Sequence, residues 1–200
     1  YPVVIDIHGG GFQGGSNSGP AAHPWHFLDE QRCVYVPIQY RLGVWGYLYL
    51  GEELGTEYAC SGNCGTLDQL AAIRWVVKNI SLFGGDPNRI TLMGSSAGAK
   101  SIGALLAVPE SKGLFQQIIS SSGGPQCIRT KKTAGCVTNM LLNALACTAK
   151  DLLTLSDEEL LRGQKVITDN LGNTCMFGPV ADNIVIGENW AEFLQSEEAW

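Results

Sequence analysis

The residues best suited to covalent chemistry lie in the pentapeptide from Gly94 to Gly98, which reads Gly-Ser-Ser-Ala-Gly. This is a G-x-S-x-G pattern, and its central residue, Ser96, is the candidate nucleophile. Such a serine needs a sharp turn between a strand and a helix, because the turn strains its backbone and exposes its Oγ. Residues 90–93 read as a short buried strand, and residues 97–106, rich in Ala, Leu and Ile, read as a helix. A chance turn of small residues is the alternative, but this context favours the nucleophile.

A second stretch, His-Gly-Gly-Gly-Phe at residues 8–12, follows an apolar run at residues 2–7 that predicts a strand. Acyl transfer passes through a tetrahedral intermediate with a negative oxygen, and backbone N–H groups must point at that oxygen. Glycines allow the required backbone angles and leave room for a substrate. The expected donors are the N–H groups of Gly10, Gly11 and Ala97. A phosphate-binding loop is the alternative, but neither a P-loop Lys-Ser/Thr nor G-x-G-x-x-G is present there.

These motifs and several others resemble the type-B carboxylesterase/lipase family, the cholinesterase-like branch of the α/β-hydrolases. The matching segments are HGGGF (8–12), YRLGVWGYL (40–48), the run from GNCG to SSAG (62–98), GLF (113–115), SSG (121–123) and FGPVAD (177–182). They follow the family's order across nearly the whole chain, and FGGDP ahead of the serine separates this branch from hormone-sensitive-lipase-like esterases. The resemblance implies an α/β-hydrolase fold and a serine carboxylic ester hydrolase, with no metal and no organic cofactor.

The pattern of elements independently favours an α/β fold with a mainly parallel sheet and helices on both faces. Strands are predicted at residues 3–7, 33–38, 90–93, 117–121 and 183–186, and helices at residues 67–80, 97–106, 133–146 and 156–165. Residues 51–65 are predicted to be irregular. Ser156 with Glu159 predicts a capping box at the start of the last helix.

The resemblance also assigns roles outside the two motifs. It implies a structural ion pair between Arg41 and Asp86 beneath the serine, with two unrelated surface charges as the alternative. It matches Ser122 to a serine that supports the catalytic triad from behind, with a plain strand-end serine as the alternative. Ser95 stands where many relatives have glutamate, which puts choline-ester specificity in doubt. His8 is predicted to be a structural residue of its loop.

The catalytic base is missing from the expected place. In α/β-hydrolases the triad runs in the order serine, acid, histidine. All three histidines, His8, His23 and His26, precede Ser96, and Asp182 lies closer to it than the family's acid does. The chain alone is therefore predicted to be inactive. A non-catalytic cholinesterase-like binding or adhesion domain is one alternative, and a serine hydrolase that takes its base from another chain is a second.

Length and charge limit the remaining possibilities. Two hundred residues suit one domain or part of one, and residues 1–200 are predicted to form a partial α/β-hydrolase domain, incomplete at both ends. The formal net charge of -6 argues against nucleic-acid binding. No apolar run approaches the roughly 18 residues of a membrane span. The expected partner is a small uncharged ester, and the sequence does not define the oligomeric state.

The chain contains seven cysteines. Cys60 with Cys64, or Cys127 with Cys136, could form a disulfide bridge across a short loop. No C-x-x-C pair occurs, so a zinc site is not predicted. The cysteine count slightly favours a secreted or extracytoplasmic protein over a cytosolic one.

Overall fold

A computed structural model of the chain describes residues 1–18, 28, 30–171, 176–197 and 199. The strands are β1 (Val3–Ile7), β2 (Val34–Ile38), β3 (Ile90–Ser95), β4 (Gln117–Ser121), β5 (Arg129–Thr130) and β6 (Val180–Ala181). The α-helices are α1 (Gly43–Tyr47), α2 (Gly51–Leu54), α3 (Cys64–Asn79), α4 (Ala97–Leu106), α5 (Lys131–Leu145), α6 (Ala149–Leu152), α7 (Asp157–Leu171) and α8 (Trp190–Phe193). Short 3₁₀ helices occupy Thr56–Tyr58, Ser61–Asn63, Ile80–Phe83, Pro109–Ser111 and Pro125–Cys127.

Four strands form one sheet in the order β2-β1-β3-β4, and every neighbouring pair is parallel. Ile5 of β1 lies opposite Val36 on one side and Leu92 on the other, and Leu92 in turn lies opposite Ile118 of β4. Parallel neighbours need crossover connections, and helix α4 supplies the one between β3 and β4. The prediction of a mainly parallel sheet with helices packed against it is confirmed.

One face of the sheet carries the apolar core. Val3, Ile5, Ile7 and Leu92 are fully buried there. Helix α4 packs against β1, β3 and β4, and α3 packs against α4. Successive side chains of a strand point to opposite faces, so the other face carries a second set of residues. That face is more exposed, and Ile119 on it is 50% accessible.

Helix α3 begins three residues earlier than predicted and buries Leu70, Ile73 and Val76 along one stripe. Helix α7 has the predicted capping box. The Ser156 N–H donates to Glu159 Oε2 over 2.9 Å, and the Glu159 N–H donates to Ser156 Oγ over 3.3 Å. Both helices confirm the predicted element type, although α7 extends beyond the predicted end.

Two regional predictions were wrong. Residues 51–65 are not irregular, because they form α2, two 3₁₀ turns and the start of α3. Residues 183–186 do not form a strand. The buried Asp182 carboxylate instead accepts the N–H groups of Ile184, Val185 and Ile186 through Oδ1, which bends the backbone into a turn. The strand at this point is the preceding β6, which pairs with β5.

The six cysteines of the described ranges, Cys33, Cys60, Cys64, Cys127, Cys136 and Cys147, are all free thiols. The two candidate bridges, Cys60–Cys64 and Cys127–Cys136, are therefore not formed. Within the same ranges, no group of three or more His, Cys, Asp or Glu side chains could hold a metal ion. The search of these residues also found no helix with the length and apolar character needed to cross a membrane.

Candidate active site

The candidate nucleophile sits in a sharp turn between β3 and α4. Ser96 has φ 56° and ψ -118°, a backbone conformation that residues with a side chain rarely adopt. Holding a serine in such a region costs about 1–3 kcal/mol and persists only where the surroundings enforce it. Ser96 is exposed although Ala97 beside it is fully buried. The turn therefore presents the hydroxyl at the carboxyl end of the parallel sheet.

Two glycines let the elements of this turn approach each other. A Cβ added to Gly94 would lie 2.6 Å from the carbonyl carbon of Gly98. A Cβ added to Gly98 would overlap the carbonyl oxygen of Ile7 at the end of β1. Neither position can accept a side chain unless the backbone moves. The two glycines of the G-x-S-x-G motif are thus required by the close packing of β1, β3 and α4 around Ser96.

The glycine loop after β1 lies directly against the candidate nucleophile. A Cβ added to Gly9 would be 2.7 Å from the Ser95 carbonyl oxygen and 3.3 Å from the Ser96 Cβ. Gly10 and Gly11 follow with φ of 121° and 63°, which is the left-handed region that favours glycine. None of the N–H groups of Gly10, Gly11 and Ala97 donates to any residue in the described ranges. Donors for an oxyanion are therefore available beside Ser96.

His8 opens this loop and is held by Tyr40. The Tyr40 hydroxyl donates to the His8 carbonyl oxygen over 2.8 Å, and the two rings stack with centroids 4.5 Å apart. His8 Nδ1 lies 2.9 Å from the Gly9 carbonyl oxygen. His8 Nε2 is buried and finds no hydrogen-bond partner within the part of the chain that the structure describes. His23 and His26 lie outside the described residues.

The backbone of β4 supports the turn from the other side. The Ser96 N–H donates to the Ser121 carbonyl oxygen over 2.9 Å, and Ser95 pairs with Ser121 in the sheet. Ser122 follows with φ 64° and is exposed beside this contact. The structure thus places Ser95 and Ser122 next to the candidate nucleophile, and the supporting role of Ser122 stays a prediction.

The predicted ion pair between Arg41 and Asp86 was wrong. Arg41 instead forms a bidentate pair with Asp68, through Nε to Oδ2 at 2.7 Å and Nη2 to Oδ1 at 2.8 Å. The Asp86 carboxylate accepts the N–H of Asn88 in its own turn. The geometry of the sheet explains the difference. Arg41 follows the carboxyl end of β2 and Asp86 precedes the amino end of β3, so a parallel strand length of roughly 16 Å separates them.

Sequence reasoning missed a buried polar chain behind the glycine loop. Gln69 Nε2 donates to Ser101 Oγ over 2.9 Å, and both side chains are fully buried. Ser101 is in turn hydrogen-bonded to the Tyr40 hydroxyl. Burial raises the pKa of Tyr40 above its ordinary value, so its hydroxyl stays protonated and remains a donor to His8. The sequence signal for this chain is one polar residue in the buried surface of each helix, Gln69 in α3 and Ser101 in α4.

One further group near the loop has a shifted pKa. Burial raises the pKa of the Asp6 carboxyl above its ordinary value, although a hydrogen bond with Tyr35 and the proximity of His8 act in the opposite direction. Asp6 lies on the more exposed face of β1, two residues before the glycine loop begins. The folded chain therefore binds a proton at Asp6 more readily than the unfolded chain does.

A cavity of about 620 Å³ opens beside the turn. Phe12, which ends the glycine loop, lines it together with Ile128 and Phe177. Gly123 also lines the cavity, and a Cβ at this position would lie 2.8 Å from the Ser96 carbonyl oxygen. A volume of this size and an apolar wall with some polar groups are typical of a small-molecule site. Lys100, Gln126 and Arg129 also line the cavity, and Ser96 itself does not.

The parallel sheet, the strained serine at the end of its third strand and the adjoining glycine loop are together those of an α/β-hydrolase. The chain belongs to the carboxylesterase family, whose sequence profile matches residues 1–199. It is 42% identical over 164 residues to a para-nitrobenzyl esterase of Bacillus subtilis, a match that covers 80% of this chain and 33% of that protein.

Solved structures show the same relationship. A carboxylesterase of Geobacillus stearothermophilus superposes with a TM-score of 0.90 at 42% identity, covering 99% of this chain and 43% of that one. The juvenile hormone esterase of Manduca sexta, solved with OTFP covalently attached, gives a TM-score of 0.85 at 27% identity, covering 99% of this chain and 39% of that one. The chain therefore spans between a third and a half of the length of these relatives.

Proposed function

We propose that the protein containing this chain hydrolyses carboxylic esters through a covalent acyl-enzyme formed on Ser96. The observation that carries the proposal is the strained, exposed Ser96 lying against a glycine loop with unused N–H groups. Strained backbone conformations of this kind cluster at functional sites, where the surrounding structure enforces them. Membership of the carboxylesterase family supports the same reaction.

In the proposed reaction, Ser96 Oγ attacks the ester carbonyl carbon while a general base takes its proton. The N–H groups of Gly10, Gly11 and Ala97 stabilise the negative oxygen of the tetrahedral intermediate, and each such donor is typically worth about a hundred- to a thousandfold in rate. The alcohol leaves with a proton from the same base, and water then hydrolyses the acyl-enzyme. We place the base and its orienting acid outside residues 1–200, which would then form a partial domain, because no histidine follows Ser96.

The substrates we propose are uncharged esters with small to medium acyl groups. The cavity next to the turn supports an uncharged acyl or alcohol group through its apolar wall of Phe12, Ile128 and Phe177, although Lys100 and Arg129 also line it. Ser95 supplies no negative charge next to the nucleophile, which weighs against a cationic choline ester. The name of the Bacillus subtilis relative, para-nitrobenzyl esterase, indicates a para-nitrobenzyl ester as the substrate of that protein.

The test uses the full-length protein and a fluorophosphonate probe, which forms a covalent bond with an activated serine. We expect labelling of Ser96, identified by mass spectrometry, and hydrolysis of p-nitrophenyl acetate. The Ser96→Ala variant should lose both. Ser81→Ala is the matched control, because Ser81 is an exposed serine that lies just after α3, ahead of the amino end of β3.

The same experiment separates the alternatives. A non-catalytic binding domain would be neither labelled nor active in the full-length protein. A base donated by another chain would give activity that falls on dilution as the partner dissociates. Labelling and turnover that do not depend on dilution would favour a base within the same full-length chain.

A further inference from the structure

The His8 ring makes one contact that the hydrolysis scheme leaves unused. Its Nδ1 lies 2.9 Å from the Gly9 carbonyl oxygen. A carbonyl oxygen can only accept a hydrogen bond, so Nδ1 must carry the proton. We propose that His8 is a positioning residue of the oxyanion hole, because it holds the peptide group whose N–H belongs to Gly10. This inference rests on the proposed ester hydrolysis at Ser96.

The argument follows from the planarity of the peptide bond. The Gly9 carbonyl and the Gly10 N–H belong to one planar trans peptide and point in opposite directions. Any rotation of the carbonyl therefore rotates the N–H by the same angle. This peptide joins two glycines, whose backbones have little steric preference of their own. An external hydrogen bond to the carbonyl is then what sets the direction of the donor.

His8 is itself rigidly held. Tyr40 donates to its carbonyl oxygen and stacks on its ring with an interplanar angle of 19°. Tyr40 is only 3% exposed, and behind it the fully buried Ser101 and Gln69 continue the hydrogen-bond chain into α4 and α3. The orientation of the Gly9 carbonyl is thus fixed through His8 and Tyr40 by side chains of the two helices that pack beneath the turn.

Gly15 covers this hydrogen bond. A Cβ added at Gly15 would overlap both His8 Nδ1 and the Gly9 carbonyl oxygen, and the residue has φ 107°. The neighbouring Gly14 differs, because a Cβ there would meet no atom within 4 Å. The two adjacent glycines therefore give a matched pair for testing the contact without touching His8.

The experiment measures ester hydrolysis by the full-length protein and four variants: His8→Ala, His8→Asn, Gly15→Ala and Gly14→Ala. We expect His8→Ala to lower kcat about tenfold to a hundredfold with little change in KM, because an oxyanion donor acts mainly in the transition state. His8→Asn should recover most of the loss, since its Nδ2 donor stands near the position of His8 Nδ1. Gly15→Ala should resemble His8→Ala, and Gly14→Ala should resemble the wild type.

Each outcome decides a different point. If the wild type shows no hydrolysis that depends on Ser96, the proposed function fails and this inference fails with it. If the wild type is active and His8→Ala stays within twofold of its kcat, the role of His8 is refuted and the function stands. Equal losses in His8→Ala and His8→Asn would show a purely structural histidine. Should His8→Ala not fold, as judged by circular dichroism, the comparison of Gly15→Ala with Gly14→Ala decides.

Discussion

Replacing the candidate nucleophile by glycine should stabilise the fold while abolishing activity. Ser96 has φ 56° and ψ -118°, and such a conformation costs about 1–3 kcal/mol for a residue with a Cβ. Glycine removes that cost, but it also increases the conformational entropy of the unfolded chain, which lowers the stability of the fold by about 0.5–1 kcal/mol. Ser96→Ala removes the same hydroxyl and keeps the Cβ. The difference between Ser96→Gly and Ser96→Ala is therefore the strain minus the glycine term and should be about 0.5–2 kcal/mol in favour of glycine.

The assay is thermal and urea-induced unfolding of the full-length protein, with the Ser96→Gly and Ser96→Ala variants compared under the same conditions. Ser95 provides the control, because it is the last residue of β3 and has no positive φ. Glycine in a strand weakens it, so Ser95→Gly should be less stable than Ser95→Ala. If Ser96→Gly is no more stable than Ser96→Ala while the Ser95 pair behaves as expected, the turn stores no strain and the argument fails.

Three further results are expected. The 200-residue chain expressed alone should hydrolyse p-nitrophenyl acetate about six orders of magnitude below an ordinary esterase and should barely respond to Ser96→Ala, because we place the base outside it; normal turnover would reveal a base within it. A double-mutant cycle should give Arg41 and Asp68, which are 52% and 28% exposed, a coupling of about 0.2–1 kcal/mol, and Arg41 and Asp86 none. Burial raises the pKa of Asp6, so stability should fall as pH rises from about 4 through the raised folded-state pKa. Asp6→Asn should remove that part of the pH dependence in urea unfolding, and an unchanged profile would contradict it.

The core of the fold and of the site was readable from local sequence. The apolar run at Val3–Ile7 predicts a buried strand, as observed. The small residues on both sides of Ser96 predict a tight turn, because only such a turn brings Gly94 and Gly98 together. The HGGG loop could also be predicted, because glycine is the residue that adopts a positive φ without steric cost, as Gly10 and Gly11 do here. These features are set by neighbours within a few residues in the chain.

The failures involve partners that are distant in sequence. Arg41 had several acidic candidates, and only the parallel register shows that Asp68 is near and Asp86 is at the opposite end of the sheet. The apolar residues 184–186 after Asp182 predict a strand, which the structure does not form. A buried carboxylate that collects three N–H groups overrides that propensity, and its burial depends on Asn63, which donates to it over 2.8 Å from more than a hundred residues away.

The strand order β2-β1-β3-β4 also sets the sequence in which the sheet can assemble during synthesis. The earliest of these four strands in the chain, β1, lies inside the sheet, so β2 can pair with one side of it and β3 with the other. Val3 pairs with Val34 and with Ile90, and closing the longer loop costs only roughly 0.9 kcal/mol more. Each of β2, β3 and β4 therefore pairs with a strand that precedes it in the chain, so its partner has already been synthesised. In the described part of the chain the sheet has two edge strands, β2 and β4, and the outer N–H and C=O groups of β4 are able to pair with a further strand.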